Sequence, residues 1–415
     1  MLPAFFNLCP AAPNGAWHLL ELYSVIMISQ TDQSFDQPVE VLKFGGSSLA
    51  TPERVQHAAQ CIQRRVLAGN KVIAIVSAMG STTNDLNQLA RQVSTSPSRR
   101  ELDMLISAGE RISMALISMA LNDLGCPAIS FTGSQAGVLT QGSHSDAEIL
   151  DLKPIRVVEA LNSNKVAVVA GFQGVDPVTK DVTTLGRGGS DITAVAFAHH
   201  FKAEYCRFIK DVPGIQPADP KWVKTAKVIE EVPLIILRQA CEMGAKVLNP
   251  RCLELASKCQ VKLHLGSIEL DGAGSTISNL ELDSRKPMFL SVLPTVLEVN
   301  DKHETEILEL QKNGTLPRTL TRYSFEGKTY WVTHPDHFDF YASKFEDLRI
   351  TYEKLQLTAV IYSNQTSEKQ SPPSINNIYL YNSFFVDNIW VQHWLPDADL
   401  KECGSSIFQL AWSRD

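Results

Sequence analysis

Val39-Glu40-Val41-Leu42-Lys43-Phe44-Gly45-Gly46-Ser47-Ser48 is the stretch on which the fold turns. A short apolar run closed by two glycines reads as a buried strand entering a tight turn. Thr51-Pro52-Glu53 then supplies a capping hydroxyl, a proline for the first helical position and an acid for the first turn. The helix so opened is expected to run to Ala68 and stop at Gly69-Asn70, a common left-handed termination pair. Val72–Val76 is the next strand, β-branched everywhere except Ala74.

The same alternation continues outward. Helices are expected at Thr83–Val93 and Glu101–Leu124, the second ended by Gly125, and a third near Ile155–Leu161. Ala128–Phe131 and Val166–Ala170 read as further central strands. Ser190 is read as the cap of a helix from Asp191 to His200, followed by a strand at Tyr205–Ile209. A helical region at Pro233–Ser257 leads to a strand at Val261–Leu265. Strands and helices at this spacing imply an α/β fold, a three-layer sandwich whose largely parallel central sheet is covered on both faces. Beyond Ser284 the chain turns aromatic and β-rich, as in Tyr330-Trp331-Val332 and Tyr379-Leu380-Tyr381. The expected organisation is an extension at 1–38, a main domain at 39–283 and a smaller C-terminal α+β domain at 284–415.

Residues 1–38 hold no Lys or Arg, and Pro3, Pro10 and Pro13 interrupt their apolar stretch. That is not a secretory signal. The segment is read as a dispensable, poorly ordered extension in which Met27 could be the true start. In the 415 residues as a whole, Lys+Arg 38 against Asp+Glu 45 leaves a formal charge of −7, which argues against a nucleic-acid or anionic-membrane partner. No run reaches the roughly 18 apolar residues of a membrane span. The eight cysteines contain no C-x-x-C pair and read as mostly buried thiols in a reducing cytoplasm.

The chemistry-bearing residues lie in the turns. Lys43 with Gly45, Gly46 and Ser47 places a positive charge beside several backbone N–H groups, a phosphate cradle or else an ordinary strand-to-helix turn. Gly186-Arg187-Gly188-Gly189-Ser190-Asp191 sets a second glycine cluster at a helix N-terminus, which suits an anion. Arg187 can hold a carboxylate in two parallel hydrogen bonds. Asp191 is a functional acid or a plain first-turn acid. Glu110 lies in an apolar helical stretch, where a carboxylate is paired or used. Ser77–Thr83, Lys210–Lys221 and Gly244-Ala245-Lys246 are further loops expected to meet at one sheet edge. G-x-x-x-x-G-K-[ST], G-x-G-x-x-G, HRD and DFG are all missing, which disfavours a P-loop enzyme, a dehydrogenase and a protein kinase.

VLKFGGSS, SAMGSTT, SAGERIS, SFTGSQAGVLT, VAGFQG, TTLGRGGSDITA and DVPGIQPADP resemble, in order and spacing, the aspartokinases of the amino-acid kinase superfamily. The resemblance covers about residues 40–280. It implies transfer of the ATP γ-phosphoryl group to the side-chain carboxylate of L-aspartate, with Mg²⁺, as the entry to lysine, threonine and methionine synthesis. It places Lys43 on the transferring phosphoryl group and Gly45, Gly46 and Ser47 on phosphate oxygens. Arg187 falls on the substrate α-carboxylate, Glu110 on its amine, Thr83 and Ser190 beside the substrate, and Asp191 where it organises Lys43. Asp211, Lys221 and Lys246 fall on the nucleotide side. Lys210, Gln216 and Lys221 depart from the family pattern, which has a hydroxyl, an aromatic and an arginine there. The resemblance further implies paired ACT domains binding an amino-acid effector, lysine or threonine, and a homodimer or higher homo-oligomer. No ACT motif is legible in residues 285–415, which could be a diverged pair, one unit with an appendage, or unrelated. A kinase of another amino-acid carboxylate and a non-catalytic amino-acid sensor are the alternative readings.

Overall fold

The computed structural model describes residues 28–31, 33–219, 226–242, 245–268 and 273–280, and beyond these the elements placed between Pro287 and Pro396. Twelve strands fall in the first part: β1 (Val39–Phe44), β2 (Lys71–Val76), β3 (Ala128–Phe131), β4 (Val138–Gln141), β5 (Glu148–Leu152), β6 (Val166–Ala170), β7 (Gln173–Val175), β8 (Val182–Thr184), β9 (Cys206–Lys210), β10 (Glu231–Pro233), β11 (Leu263–Ser267) and β12 (Ser275–Ser278). The helices among them are α1 (Pro52–Leu67), α2 (Thr82–Val93), α3 (Arg99–Ile106), α4 (Ala108–Asp123), α5 (Ile155–Asn162), α6 (Gly189–His200), α7 (Leu234–Glu242) and α8 (Pro250–Lys258).

Eight strands form one sheet in the order β10-β12-β11-β9-β1-β2-β6-β3. Every neighbouring pair is parallel except β11 with β12. β2 and β6 are buried along their whole length, as unbroken apolar runs require when helices cover both faces. Alternate residues divide between two cores. Leu42, Phe44, Val72, Ala74 and Val76 pack with α1 and α4, whereas Val41, Ile73, Ile75 and Phe208 pack with α5, α6, α7 and α8. The expected three layers are therefore present. Because side chains alternate along a strand, Lys43 shares the face of Val41 and points toward α6.

Several boundaries differ from expectation for local reasons. The expected helix Glu101–Leu124 is two helices interrupted at Ser107, whose carbonyl accepts a bond from Gln173 Nε2 at 2.8 Å. The helical region Pro233–Ser257 is also two helices, the second capped by the Asn249 side chain and opened by Pro250. Ser190 does not cap α6: Gly188 holds that position at φ 72°, and Ser190 lies inside the first turn. A four-stranded sheet, β5-β4-β7-β8, was not anticipated, because its strands are short and mix Thr, Gln, Glu and Asp with apolar residues. In the C-terminal part β13 (Pro287–Val292), β14 (Val296–Val299), α9 (Asp301–Lys312), β15 (Thr321–Phe325), β16 (Lys328–Val332), β17 (Arg349–Ile350), β18 (Thr358–Ser363), β19 (Ile378–Val386) and β20 (Ile389–Pro396) build two antiparallel sheets, an α+β composition. Their orders are β13-β18-β20-β19 and β15-β16-β14-β17.

The expectation of a loose segment before Val39 is corrected for its last residues. Ile28 is buried, Phe35 stacks near Phe201 with ring centroids 5.9 Å apart, and Ser29 Oγ donates to Asp151 at 3.0 Å. Asp36 pairs with Lys71 at 3.0 Å. The stretch preceding Ile28 lies outside the described residues. Cys61, Cys126, Cys206, Cys241 and Cys252 are buried free thiols and Cys259 is a half-buried one, while Cys9 and Cys403 lie outside the described residues. Removal of residues 1–37 should lower the unfolding free energy by about 3 kcal/mol, the scale of one or two buried apolar side chains. Urea denaturation of the truncated and full chains measures it.

Candidate functional site

The C-terminal ends of β1, β2, β6 and β9 open on one side, because these strands are parallel neighbours. Each is followed by a loop singled out in the sequence. Lys43, one residue before the end of β1, meets Asp191 of α6, with Nζ 2.5 Å from Oδ1 and both side chains buried. This pair joins the two glycine clusters, which lie almost 150 residues apart in the chain. An acid in the first helical turn is favourable anyway, but here the carboxylate also faces a buried ammonium.

Gly46 can only be glycine at this spot. A Cβ there would lie 2.8 Å from the Ala78 carbonyl oxygen, and the Gly46 carbonyl accepts from Gly80 N–H at 2.9 Å. The first two loops are thus pressed together by backbone contact. Gly45 is half-buried and Ser47 exposed, next to the Lys43 ammonium. Thr83 is half-buried in the first turn of α2, and its carbonyl accepts from Asn87.

Glu110 is 3% exposed and opens α4 beside the second loop. One carboxylate oxygen accepts from the Ala78 N–H at 3.0 Å, and the other, Oε2, has no partner. Burial pushes its pKa up to about 7, against the pull of that N–H and of the Lys43 charge. The internal salt bridge considered for this residue is not formed. An unsatisfied, half-protonated carboxyl in a cleft suits recognition of a cationic group.

Arg187 is exposed on the loop between β8 and α6, and its carbonyl accepts from Asn249 Nδ2 at 2.9 Å. A Cβ at Gly188 would lie 2.3 Å from the Asn249 Cβ, so this loop and the start of α8 are also in close contact. Ser190 is buried against Gly171, at the end of β6. Arg251 of α8 reaches Asp146 at 2.8 Å and the Leu185 carbonyl at 3.0 Å, two residues before Arg187.

On the fourth strand the structure changes the reading of two departures. Lys210 ends β9 and donates to the Val247 carbonyl; burial lowers its pKa, while the Asp191 charge counters this. It stands close to the ion pair as a second cation. Gln216 donates to the Ala226 carbonyl at 2.7 Å, bracing the loop from within. Asp211 and Lys246 are exposed at the same edge, whereas Lys221 and Gly244 lie outside the described residues. The reading missed Asp103, Gln173, Asn249 and Arg251. Asp103 could have been found: it sits in the same apolar stretch as Glu110, two helical turns earlier, so the same argument from burial applies.

The chain belongs to the amino acid kinase family, whose profile matches residues 38–267. It is 47% identical over 267 residues to an aspartokinase of Mycolicibacterium smegmatis, covering 64% of this chain and 62% of that one. To an aspartokinase of Corynebacterium glutamicum it is 45% identical over 270 residues, 65% of this chain and 63% of that one. The chain thus spans somewhat less than two thirds of the length of these curated relatives. Aspartokinase III of E. coli, solved with aspartate and ADP in the R-state, superposes with a TM-score of 0.70 at 20% identity, over 91% of this chain and 99% of that one. The same enzyme solved with lysine and aspartate in the T-state gives 0.69 at 20% identity, over 90% and 99%. The aspartate kinase of Synechocystis gives 0.54 at 27% identity, over 90% and 69%.

A raised carboxyl pKa costs stability once the group must ionise. Glu110 binds a proton more tightly folded than unfolded, so stability falls as pH rises from about 4.5 through about 7. Glu110→Gln should therefore unfold at higher urea than wild type at pH 8, by up to about 3 kcal/mol, and match it below pH 4.5.

Proposed function

We propose that this chain is an aspartate kinase, transferring the γ-phosphoryl group of ATP to the side-chain carboxylate of L-aspartate to give 4-phospho-L-aspartate, the first step toward lysine, threonine and methionine. The single observation that carries this is the 47% identity, over 267 residues, to an aspartokinase of Mycolicibacterium smegmatis.

The site chemistry suits that reaction. The acceptor carboxylate, with a reference pKa of about 3.9, is already ionised at neutral pH and needs no general base. The work left to the protein is in-line placement and positive charge on the phosphoryl oxygens. Lys43 supplies the charge, held by Asp191, and the N–H groups of Gly45, Gly46 and Ser47 take phosphate oxygens. Arg187 grips the substrate α-carboxylate, and Glu110, partly protonated when empty, ionises to receive the amine, with Thr83 and Ser190 alongside. Asp211, Lys221 and Lys246 attend the nucleotide. Mg²⁺ bound to the nucleotide phosphates would add further positive charge there.

On this reading residues 39–283 form the catalytic domain and 284–415 a regulatory domain, which in a homodimer or larger homo-oligomer takes lysine or threonine as effector. The lysine-bound form of the E. coli enzyme supports that choice of ligand class. The cytoplasm is the compartment, in keeping with the buried free thiols.

An ATP/Mg²⁺ assay with L-aspartate, trapping the acyl phosphate with hydroxylamine, tests the proposal. Aspartate-dependent hydroxamate is expected, with turnover falling about a thousandfold in Lys43→Ala. Turnover with another amino-acid carboxylate, or binding of aspartate without ATP consumption, would contradict it.

A further inference from the structure

Asp103 of α3 is fully buried, with 0% exposure, and its hydrogen bonds go to His144, Ser145 and Thr184 rather than to the four loops at the sheet edge. Its two oxygens accept five hydrogen bonds. Oδ2 takes the backbone N–H of Ser145 at 2.9 Å, that of Thr184 at 3.0 Å and His144 Nδ1 at 3.1 Å. Oδ1 takes the hydroxyls of Thr184 at 2.7 Å and of Ser145 at 2.9 Å. A buried carboxylate this fully satisfied is a strong tie between separate segments, because each bond is charge-assisted.

The segments it ties carry the two groups assigned to the amino-acid head of the substrate. Thr184 ends β8, three residues before Arg187. Asp103 lies on the same run of helix as Glu110, seven residues earlier. One turn beyond Asp103, the Ser107 carbonyl accepts from Gln173 Nε2, and Gln173 is the direct ladder partner of Thr184. Two facing residues of the β7–β8 hairpin therefore hold two successive turns of the α3–α4 run. Ser145, on the loop before β5, is kept by Asp103 at φ 68°, a backbone region most side chains avoid. Arg251 then fastens that loop, through Asp146, to the Leu185 carbonyl.

We propose that Asp103 is a positioning residue that sets the distance between Glu110 and Arg187 and so pre-forms the pocket for the α-amino and α-carboxylate groups of the substrate. This rests on the aspartate kinase reading, and it adds a residue that contacts neither substrate. The phosphate side of the cleft, built by Lys43, the first glycine loop and β9, receives none of these bonds, and Asp191, which holds Lys43, is fixed by the burial of α6 along all its residues but His199. Asp103 therefore governs affinity for the amino acid and leaves that for the nucleotide alone.

The test compares Asp103→Ala, Asp103→Asn and Thr184→Val with wild type, measuring KM for aspartate and for ATP separately. Asp103→Ala should raise the aspartate KM about tenfold or more and leave the ATP KM within about twofold. Asp103→Asn should restore the aspartate KM to within about threefold, since its carbonyl can take the two N–H donors while its amide donates to the two hydroxyls, which rotate. Should Asp103→Ala fail to fold, Thr184→Val removes a single donor and should raise the aspartate KM alone, by about threefold. Equal changes in both KM values, or no change in either, would overturn the proposal. If the wild type shows no turnover with aspartate, the kinase reading fails, and hydrogen exchange decides on Asp103. Amides 143–147 and 184–187 should lose protection in Thr184→Val; unchanged exchange there would overturn the positioning role.

Discussion

A buried ammonium facing a buried carboxylate is the contact on which the cleft depends. Lys43 and Asp191 are both buried, and removal of either charge from water costs several kcal/mol that only a close partner offsets. Each therefore fixes the other. The first strand and the helix after the second glycine cluster are thereby locked in register, and the loops at their ends face each other across a gap. Such a pair contributes little net stability compared with an apolar substitute. On the aspartate kinase reading, its use is to hold the Lys43 ammonium where a phosphoryl group would pass.

α6 shows how the fold serves this purpose. All of its residues except His199 are buried, so the helix is wedged between layers rather than laid on a surface. Its N-terminus, with its partial positive charge, is held at the sheet edge, where the N–H groups of Gly189 and Asp191 donate to the carbonyls of Gly186 and Gly188. The surrounding glycines let backbone approach backbone at Gly46 and side chain approach backbone at Gly188. Opposite, Glu110 brings a carboxyl that burial keeps near the midpoint of its titration at neutral pH.

The central strands were legible because β2 and β6 are largely apolar runs closed by Ser77 and Gly171, and β1 ends in Gly45-Gly46; β10 and β12, short and partly polar, were not. Glu110 was legible as a charge set in an apolar stretch, and Lys43 and Asp191 as charges beside glycine-rich turns. What escaped is of a different kind. The strands β4, β5, β7 and β8 are three to five residues long and carry polar side chains on both faces, so their periodicity is too weak to read. The bonds of Asp103, Asn249 and Arg251 join segments 41 to 105 residues apart, and no local pattern announces a long-range partner. The segment before Val39 looked expendable because Ile28 and Phe35 are isolated apolar residues in the sequence, and the ring partner of Phe35, Phe201, lies just beyond the end of α6.

A double-mutant cycle on Lys43→Met and Asp191→Asn, read as unfolding free energy in urea, tests the central contact most directly. Each single substitution strands the other charge in the interior and should cost about 3–5 kcal/mol, while the double substitution should cost clearly less than their sum, with a coupling of at least about 2 kcal/mol. Additivity within about 0.5 kcal/mol would mean that the two groups do not hold each other, and the account of the cleft built on them would be wrong.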